Sequence, residues 1–476
     1  MKKSIKRTVT IMLLLSMLVS CGTAVQETET ETTVAETVTE TVPDGPVFAE
    51  LTYDGDEFCF LTEDWRFGDI YDSVEIYSEG MDGTLINDAV YTRNQMVEER
   101  FDIHITEEKL PLAHEVAYNT ILAGDSTHDV VMPYLNSSTT NALEGLYEDL
   151  HTLEHLKLEN SWWDQNANAT LQIHNKLYFT TGDISILDND CMLVLFFNKD
   201  IIAEFQMDNP YELVKEGTWT FDAMQEMCDI FIADLNGDGV MKEADDRFGI
   251  YIAGNTPHAL FFAAGERIVY PDADGTQQLV MYNERSVDAV TRIMEFSLDK
   301  RHMNGDYKVS INALMEKRLL FGGWALTEID SLRESESDFG ILPYPKFDEA
   351  QESYHCIIST GLTPAVSVPI TNQNLEQAGL ILEAMAYYSV DTLTHAYYDM
   401  QLNSRYIRDE ESSEMFDIMF ASSVYDFGFI FNIGGLGGMI EGMYQGKQKN
   451  FASNYARLEK MALSDLEKIF ASPDEN

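Results

Sequence analysis

Two neighbouring stretches limit the fold more than any other feature of the chain. "TLINDAVYTRNQMVEERF" sets Leu85, Ala89, Val90, Met96 and Val97 at helical spacing and runs directly into the extended "DIHIT". "AYNTILAGDSTHDVVMPYL" then repeats that order, with a helix ending near Gly124 and a buried strand over residues 130–132 that Pro133 stops. Helices and strands that alternate in this way build an α/β architecture. Further strands are expected at "MLVLFFN", "FGILPYP" and "AVSVP", and a long helix at "NLEQAGLILEAMAYYSV". Ligands of open α/β sheets bind beyond the carboxyl ends of the strands, which points to the loop after Pro133, with Tyr134 and Asn136. No internal repeat of fixed period and no second linker interrupts this body.

Residues 1–47 are of another kind. Lys2, Lys3, Lys6 and Arg7 precede an apolar run over residues 9–19, which is too short to span a bilayer and reads as the core of a signal peptide. "LVSCG" follows and resembles the lipobox of bacterial lipoproteins. That resemblance implies a signal peptide over residues 1–20, a lipid on Cys21, and a mature chain held on the outer face of the cytoplasmic membrane. Residues 21–47 are mostly Thr and Glu, with no basic residue and no aromatic before Phe48. Such a segment buries too little apolar surface to offset its ordering entropy, so it is expected to be a disordered tether.

The formal charge is −50, and removal of residues 1–20 takes away four basic groups and no acidic one, leaving −50 − 4 = −54. Phosphate backbones and anionic head groups repel a surface of that sign, which excludes nucleic-acid binding and leaves the lipid as the contact with the membrane. Cys59, Cys191, Cys228 and Cys356 are widely spaced and show no zinc-ribbon pattern; two disulfides and four buried thiols are both compatible with that spacing.

Several segments, read in chain order, resemble the extracellular solute-binding proteins of bacterial ABC importers, in the sugar-binding, maltose-binding-protein-like family 1. "THDVVMPYL" and "LEGLYEDLHTL" resemble its strand, ligand-facing loop and connecting element, and "SWWDQNANATLQIHNKLYFTTGD" the approach to its hinge. "VLFFNKDII" matches an apolar strand that ends in Asn198, Lys199 and Asp200. "GTWTFDAM" matches a helix start with Thr220 as N-cap and Trp219 as a packing residue. "LMEKRLLFGGWAL" resembles the turn in which a tryptophan, here Trp324, faces the sugar, and "FGILPYPK" and "TGLTPAVSVP" resemble the return strands. The chain departs from the family in having "EKRLL" before the Gly-Trp turn, and Cys191 beside Asp190 where a charged residue is usual on the first hinge strand.

The resemblance implies a two-lobed, periplasmic-binding-protein-like (type II) fold. One lobe would use residues 48–187 and 360–408 and the other residues 188–359 and 409–476, with crossings near 188–192 and 355–361. It further implies a monomer that is no enzyme, and that closes on a carbohydrate and delivers it to permease subunits. A pyranose stacks an apolar face on an aromatic ring and needs carboxylates and amides at its rim. Trp324, Trp162 and Trp163 are therefore the candidate platforms, and Tyr134, Asn136, Asp183 and Asp190 the polar partners. The same residue types would serve a peptide or polyamine importer, and a surface enzyme or a glycan binder without a transporter are the other readings.

One motif speaks of a metal. "DLNGDGVMKEADD" has EF-hand spacing, with Asp234, Asn236 and Asp238 at alternate positions, Gly239 after them, the Val240 carbonyl at position seven and Asp245 at twelve. A single such loop, without a paired second one, predicts a structural calcium ion and no sensor role. "HTLEH" (residues 151–155) formally fits a zinc-protease pattern, but the stretch around it is short and offers no third ligand that stands out, so no zinc enzyme is expected. "GGLGGMIEGMYQGKQ" has neither dinucleotide nor P-loop spacing and is expected to be a flexible loop near the cleft.

Overall fold

A computed structural model describes residues 46–64, 75–332, 337–402 and 410–471; the expected signal peptide, Cys21 and nearly all of the expected tether lie outside the described residues. The first sheet is parallel and has β1 (Asp56–Glu63) between β2 (Ile103–Leu110) and β3 (Val130–Met132). Phe58 and Phe60 alternate inward on β1 and are fully buried, each gaining about 1.5–3 kcal/mol from leaving water. The "AVSVP" segment extends this sheet through antiparallel bridges of Val131 to Ser367 and of Thr180 to Val366.

The second sheet contains β4 (Leu193–Asn198) and β5 (Phe248–Tyr251). After a hairpin of β6 (Val269–Pro271) and β7 (Gln277–Leu279), it adds β8 (Leu319–Ala325) and β9 (Phe339–Leu342), in the order β5-β8-β4-β9. All six residues of β4 and all seven of β8 are buried, as expected of central strands covered on both faces. Between the two sheets run residues 191–193 and β10 (Cys356–Ile357), the latter paired in parallel with β11 (Ser423–Val424). Met192 bridges Ile358, and Ser359 N donates to the Cys191 carbonyl (3.1 Å).

Local chemistry accounts for most element ends. Thr220 Oγ1 accepts from Ala223 N (3.3 Å) at the start of helix Phe221–Phe231, and Trp219 is fully buried with its indole N–H on the Pro343 carbonyl (3.0 Å). Asn198 caps the helix after β4 by accepting from Ile201 N (3.0 Å). The four cysteines of the body are unpaired, three of them buried.

Two expectations need correction. Helix Leu85–Phe101 buries Val90, Arg93, Asn94, Val97 and Phe101, while Leu85 and Met96 are exposed. The inward face is turned toward Arg93, whose fully buried guanidinium donates to the carbonyls of Glu75 (2.6 Å), Ile76 (3.1 Å) and Ile184 (3.2 Å). Hydrogen bonding to buried backbone carbonyls, which Asn94 Nδ2 shares by donating to Ile76 (2.8 Å), outweighs the apolar pattern here. The glycine-rich "GGLGGMIEGMYQGKQ" is ordered, as a turn followed by helix Met439–Gln445, with Ile440 and Met443 in the core. Gly434 there lies against Ala462 of helix Phe451–Phe470, closer than any Cβ allows.

Candidate functional site

A small cavity of about 30 Å³ lies beyond the carboxyl ends of the first sheet. Thr62 and Glu63 come from the end of β1, Lys109 from β2, and Met132 and Tyr134 from the end of β3 and the turn after it; Glu75, Leu187 and Pro364 close its other sides. Parallel strands deliver these residues because their carboxyl ends all face one way. Glu63 accepts from Leu112 N (2.6 Å) and Ala113 N (3.0 Å), so it also caps helix Ala113–Leu122. Thr62 Oγ1 donates to Glu107 (2.5 Å), and Ser185 Oγ to Glu75. Tyr134 precedes helix Leu135–Leu143 and bridges Pro364. Asn136 is exposed, with its amide N donating to the Thr360 carbonyl (3.1 Å) at the second crossing.

The first crossing carries carboxyl groups. Asp188 is buried and held well above the usual carboxylate range by desolvation, with Asp164 and Asp183 adding to the rise. Burial also lifts Asp190 to about 7, against the pull of its hydroxyl donors; Tyr397 Oη donates to it at 3.1 Å. Asp183 reaches about 7 for the same leading reason, with the Asp164 charge reinforcing it. Carboxyls of this kind keep a proton near neutrality, and each offers a donor as well as an acceptor to a polar ligand.

Trp324 lies on β8 of the second sheet, flanked by Phe196 (5.8 Å) and Tyr251 (5.9 Å), and is 5% exposed. Its ring covers Gly322, where a Cβ would stand 1.9 Å from a ring carbon, so only glycine fits under it. Among the described residues the Trp324 indole N–H has no acceptor, and neither the Thr363 nor the Thr181 hydroxyl has a partner, although all three are buried. Of the predicted ligand-site residues only Tyr134 lines the cavity; Trp324, Asn136, Asp183 and Asp190 do not, and the other two tryptophans are engaged by Glu383. Trp163 (2.9 Å) and Trp162 (3.2 Å) both donate to Glu383 of helix Leu375–Ser389, and neither lines the cavity. The structure thus gathers Tyr134 and Asn136 at one crossing and Asp183 and Asp190 near the other. Sequence reasoning missed Glu63, Glu75, Lys109 and Leu187; the strand ends of β1 and β2 were the one local signal for two of them.

In the EF-hand-like loop, Asp234 accepts from Gly237 N and Gly239 N (both 2.7 Å), Asn236 from Asp238 N (2.8 Å) and Asp238 from Val240 N (2.8 Å). Gly237 and Gly239 take positive φ, 72° and 77°. The loop is closed by buried Asp246, which accepts from Leu235 N (2.9 Å) and Lys242 N (2.8 Å), while Asp245 is exposed and the Lys242 ammonium pairs with Asp238. The donor set suits calcium in kind, since each bonded oxygen keeps a lone pair. Enclosing an ion requires Asp238 to leave Lys242 and Asp245 to turn inward. "HTLEH" forms no helix: residues 150–152 are a single 3₁₀ turn, and His151 faces Asp149 (3.1 Å).

No protein-family model and no curated protein matches this sequence. Solved structures do match the fold. The maltose-binding periplasmic protein of Listeria monocytogenes in complex with maltose gives a TM-score of 0.55 at 13% identity, over 88% of this chain and 100% of that one. The maltose/maltodextrin-binding domain of Bdellovibrio bacteriovorus bound to maltotriose gives 0.52 at 14%, over 87% and 99%. An ABC transporter solute-binding protein of Thermotoga lettingae bound with α-D-tagatose gives 0.51 at 13%, over 88% and 100%. What is shared at such identity is the architecture: this chain has the two-lobed, periplasmic-binding-protein-like α/β fold of ABC-importer solute-binding proteins.

Proposed function

We propose that this protein is a lipid-anchored, extracellular substrate-binding protein of an ABC importer, which captures a mono- or oligosaccharide by lobe closure and hands it to the permease. The observation that carries the proposal is a cavity at the strand carboxyl ends with Tyr134 on its wall, in a fold whose relatives named above were solved with maltose, maltotriose and tagatose. A sugar ring would rest on an aromatic face of Tyr134 or Trp324, with its hydroxyls on the neighbouring carboxyls and amides. Binding energy then favours the closed form, and no bond in the ligand is broken. Cys21 directly after the apolar run supports the anchor, and the spacing of Asp234, Asn236, Asp238, Val240 and Asp245 supports a structural calcium ion.

The test is calorimetry and intrinsic tryptophan fluorescence of the mature protein against mono- and oligosaccharides, polyamines and short peptides. Saturable heat from a sugar is expected; silence from every sugar would sink the substrate assignment. A cationic ligand is the second reading, because Glu63, Glu75 and Glu107 outnumber Lys109 on the cavity wall. Replacing Cys21 with serine should release the protein into the medium; retention in the membrane fraction would refute the anchor.

A further inference from the structure

We propose that Glu154, His155 and Glu376, which belong neither to the EF-hand-like loop nor to the cavity wall, form a second metal site that takes a borderline divalent ion of the zinc type. The three side chains bring one ligand atom each to within 4.8 Å of one another, and His155 Nε2 stands 3.9 Å from Glu376 Oε1. His155 Nε2 is shielded from solvent and makes no hydrogen bond among the described residues. A second shielded atom without a hydrogen-bond partner among the described residues, the Tyr53 hydroxyl, lies within reach of the Glu376 charge. Two polar atoms without partners beside one exposed carboxylate are the expected surroundings of a bound ion and its water.

The backbone holds these ligands in place. Glu376 lies in the first turn of helix Leu375–Ser389, which Asn374 caps by accepting from Gln377 N (3.2 Å). One turn on, Gly379 leaves room for the turn that carries Glu154 and His155: a Cβ there would stand 3.1 Å from Leu153 Cβ and 3.5 Å from His155 N. One further turn on, Glu383 takes Lys157 N (3.1 Å) and the Asn160 amide (2.7 Å). The 153–160 segment is therefore tied along one face of the helix, and only side-chain rotamers remain to be set.

Zinc bonds of about 2.1 Å in a tetrahedron separate donors by about 3.4 Å, so closure asks for movements on the order of 1 Å from two exposed glutamates. One imidazole nitrogen and two carboxylates suit zinc; calcium and magnesium prefer oxygen alone. Water completes the shell, and the ion fastens the turn to the helix.

The experiment is calorimetry of zinc chloride into the chelator-stripped mature protein with calcium in excess, so that residues 234–245 do not compete. One saturable event in the micromolar range is expected for the parent, weakened at least tenfold in His155→Ala and in Glu376→Gln, and unaffected by magnesium. Absence of a saturable event, or unchanged affinity in either variant, overturns the site. If those variants fail to fold, Glu154→Gln at its exposed position decides in the same way: at least tenfold weaker binding supports the site, and unchanged binding overturns it.

Discussion

Replacing Glu383 with alanine tests whether the Trp162–Trp163 pair belongs to the framework of the protein or to its ligand site. One carboxylate receives four donors there: Asn160 Nδ2 (2.7 Å), Trp163 Nε1 (2.9 Å), Lys157 N (3.1 Å) and Trp162 Nε1 (3.2 Å). Each bond to a charged acceptor is worth about 1.5–3 kcal/mol, but burial of the carboxylate offsets part of the sum and raises its pKa. After truncation Lys157 and Asn160, nearer solvent, can recruit water. Trp163 is 1% exposed and cannot, so its N–H is left unpaired at a cost of about 1–3 kcal/mol. Adding the lost packing of the side-chain stem gives roughly 3–4 kcal/mol. With about 2.1 cal/mol/K of unfolding entropy per residue over the body from Phe48 onward, that is a fall in Tm of about 4 °C. A calorimetric scan reads this shift, and a ligand titration at 20 °C should return a Kd within about twofold of the parent. A Tm within 1 °C of the parent would refute the reasoning. A tenfold loss of affinity in a protein of unchanged Tm would move both tryptophans into the ligand site.

Other perturbations follow from the same contacts. Gly322→Ala places a methyl group inside the Trp324 ring, so overpacking should cost about 1–3 kcal/mol in denaturant unfolding and weaken ligand binding severalfold; an unaffected Kd would separate Trp324 from the ligand. Arg93→Met removes the guanidinium that serves the carbonyls of Glu75, Ile76 and Ile184, of which Ile76 keeps Asn94 Nδ2 (2.8 Å), and should lower stability by roughly 3 kcal/mol, read by urea titration; a change below 1 kcal/mol would show that water replaces the guanidinium. Chelation of calcium should lower Tm yet leave ligand affinity little changed wherever the protein stays folded; lost binding in a folded protein would assign the ion to the ligand site.

Strand and helix order could be read from the sequence because periodicity is local: "DIHIT", "MLVLFFN" and "FGILPYP" lie on or overlap the strands β2, β4 and β9, and Thr220 caps the helix it precedes. The tilt of helix Leu85–Phe101 was not legible, since it depends on carbonyls of residues 75, 76 and 184 that need Arg93. Tyr134 could be found from the rule that ligands meet strand carboxyl ends. Glu75 and Leu187 join it only through sheet order and the crossing. Tryptophan itself carries no label of role: Trp163 and Trp324 are both nearly buried, and the difference between them is that Glu383, far along the chain, answers one indole and nothing among the described residues answers the other.

The carboxyls of the first crossing bear on which ligand a chain of such negative charge can close upon. Asp183 and Asp190 have folded pKa values of about 7, above the roughly 3.9 of an unfolded aspartate. Groups raised in this sense stabilise the fold fully below the unfolded value, and that contribution is lost as the pH climbs through 7. Moving from pH 8 to pH 6 should therefore raise Tm, and a fall over that interval would refute the assignment. At pH 6, where both are largely protonated, closure on a neutral sugar leaves those protons in place, so its heat should be the same in phosphate and in Bis-Tris. A polyamine would favour the charged carboxylates and expel protons, which makes the measured heat depend on the ionisation enthalpy of the buffer. Equal heats for a bound sugar thus agree with protonated hinge carboxyls and a neutral ligand, whereas buffer-dependent heats with a cation would transfer the site to the second reading.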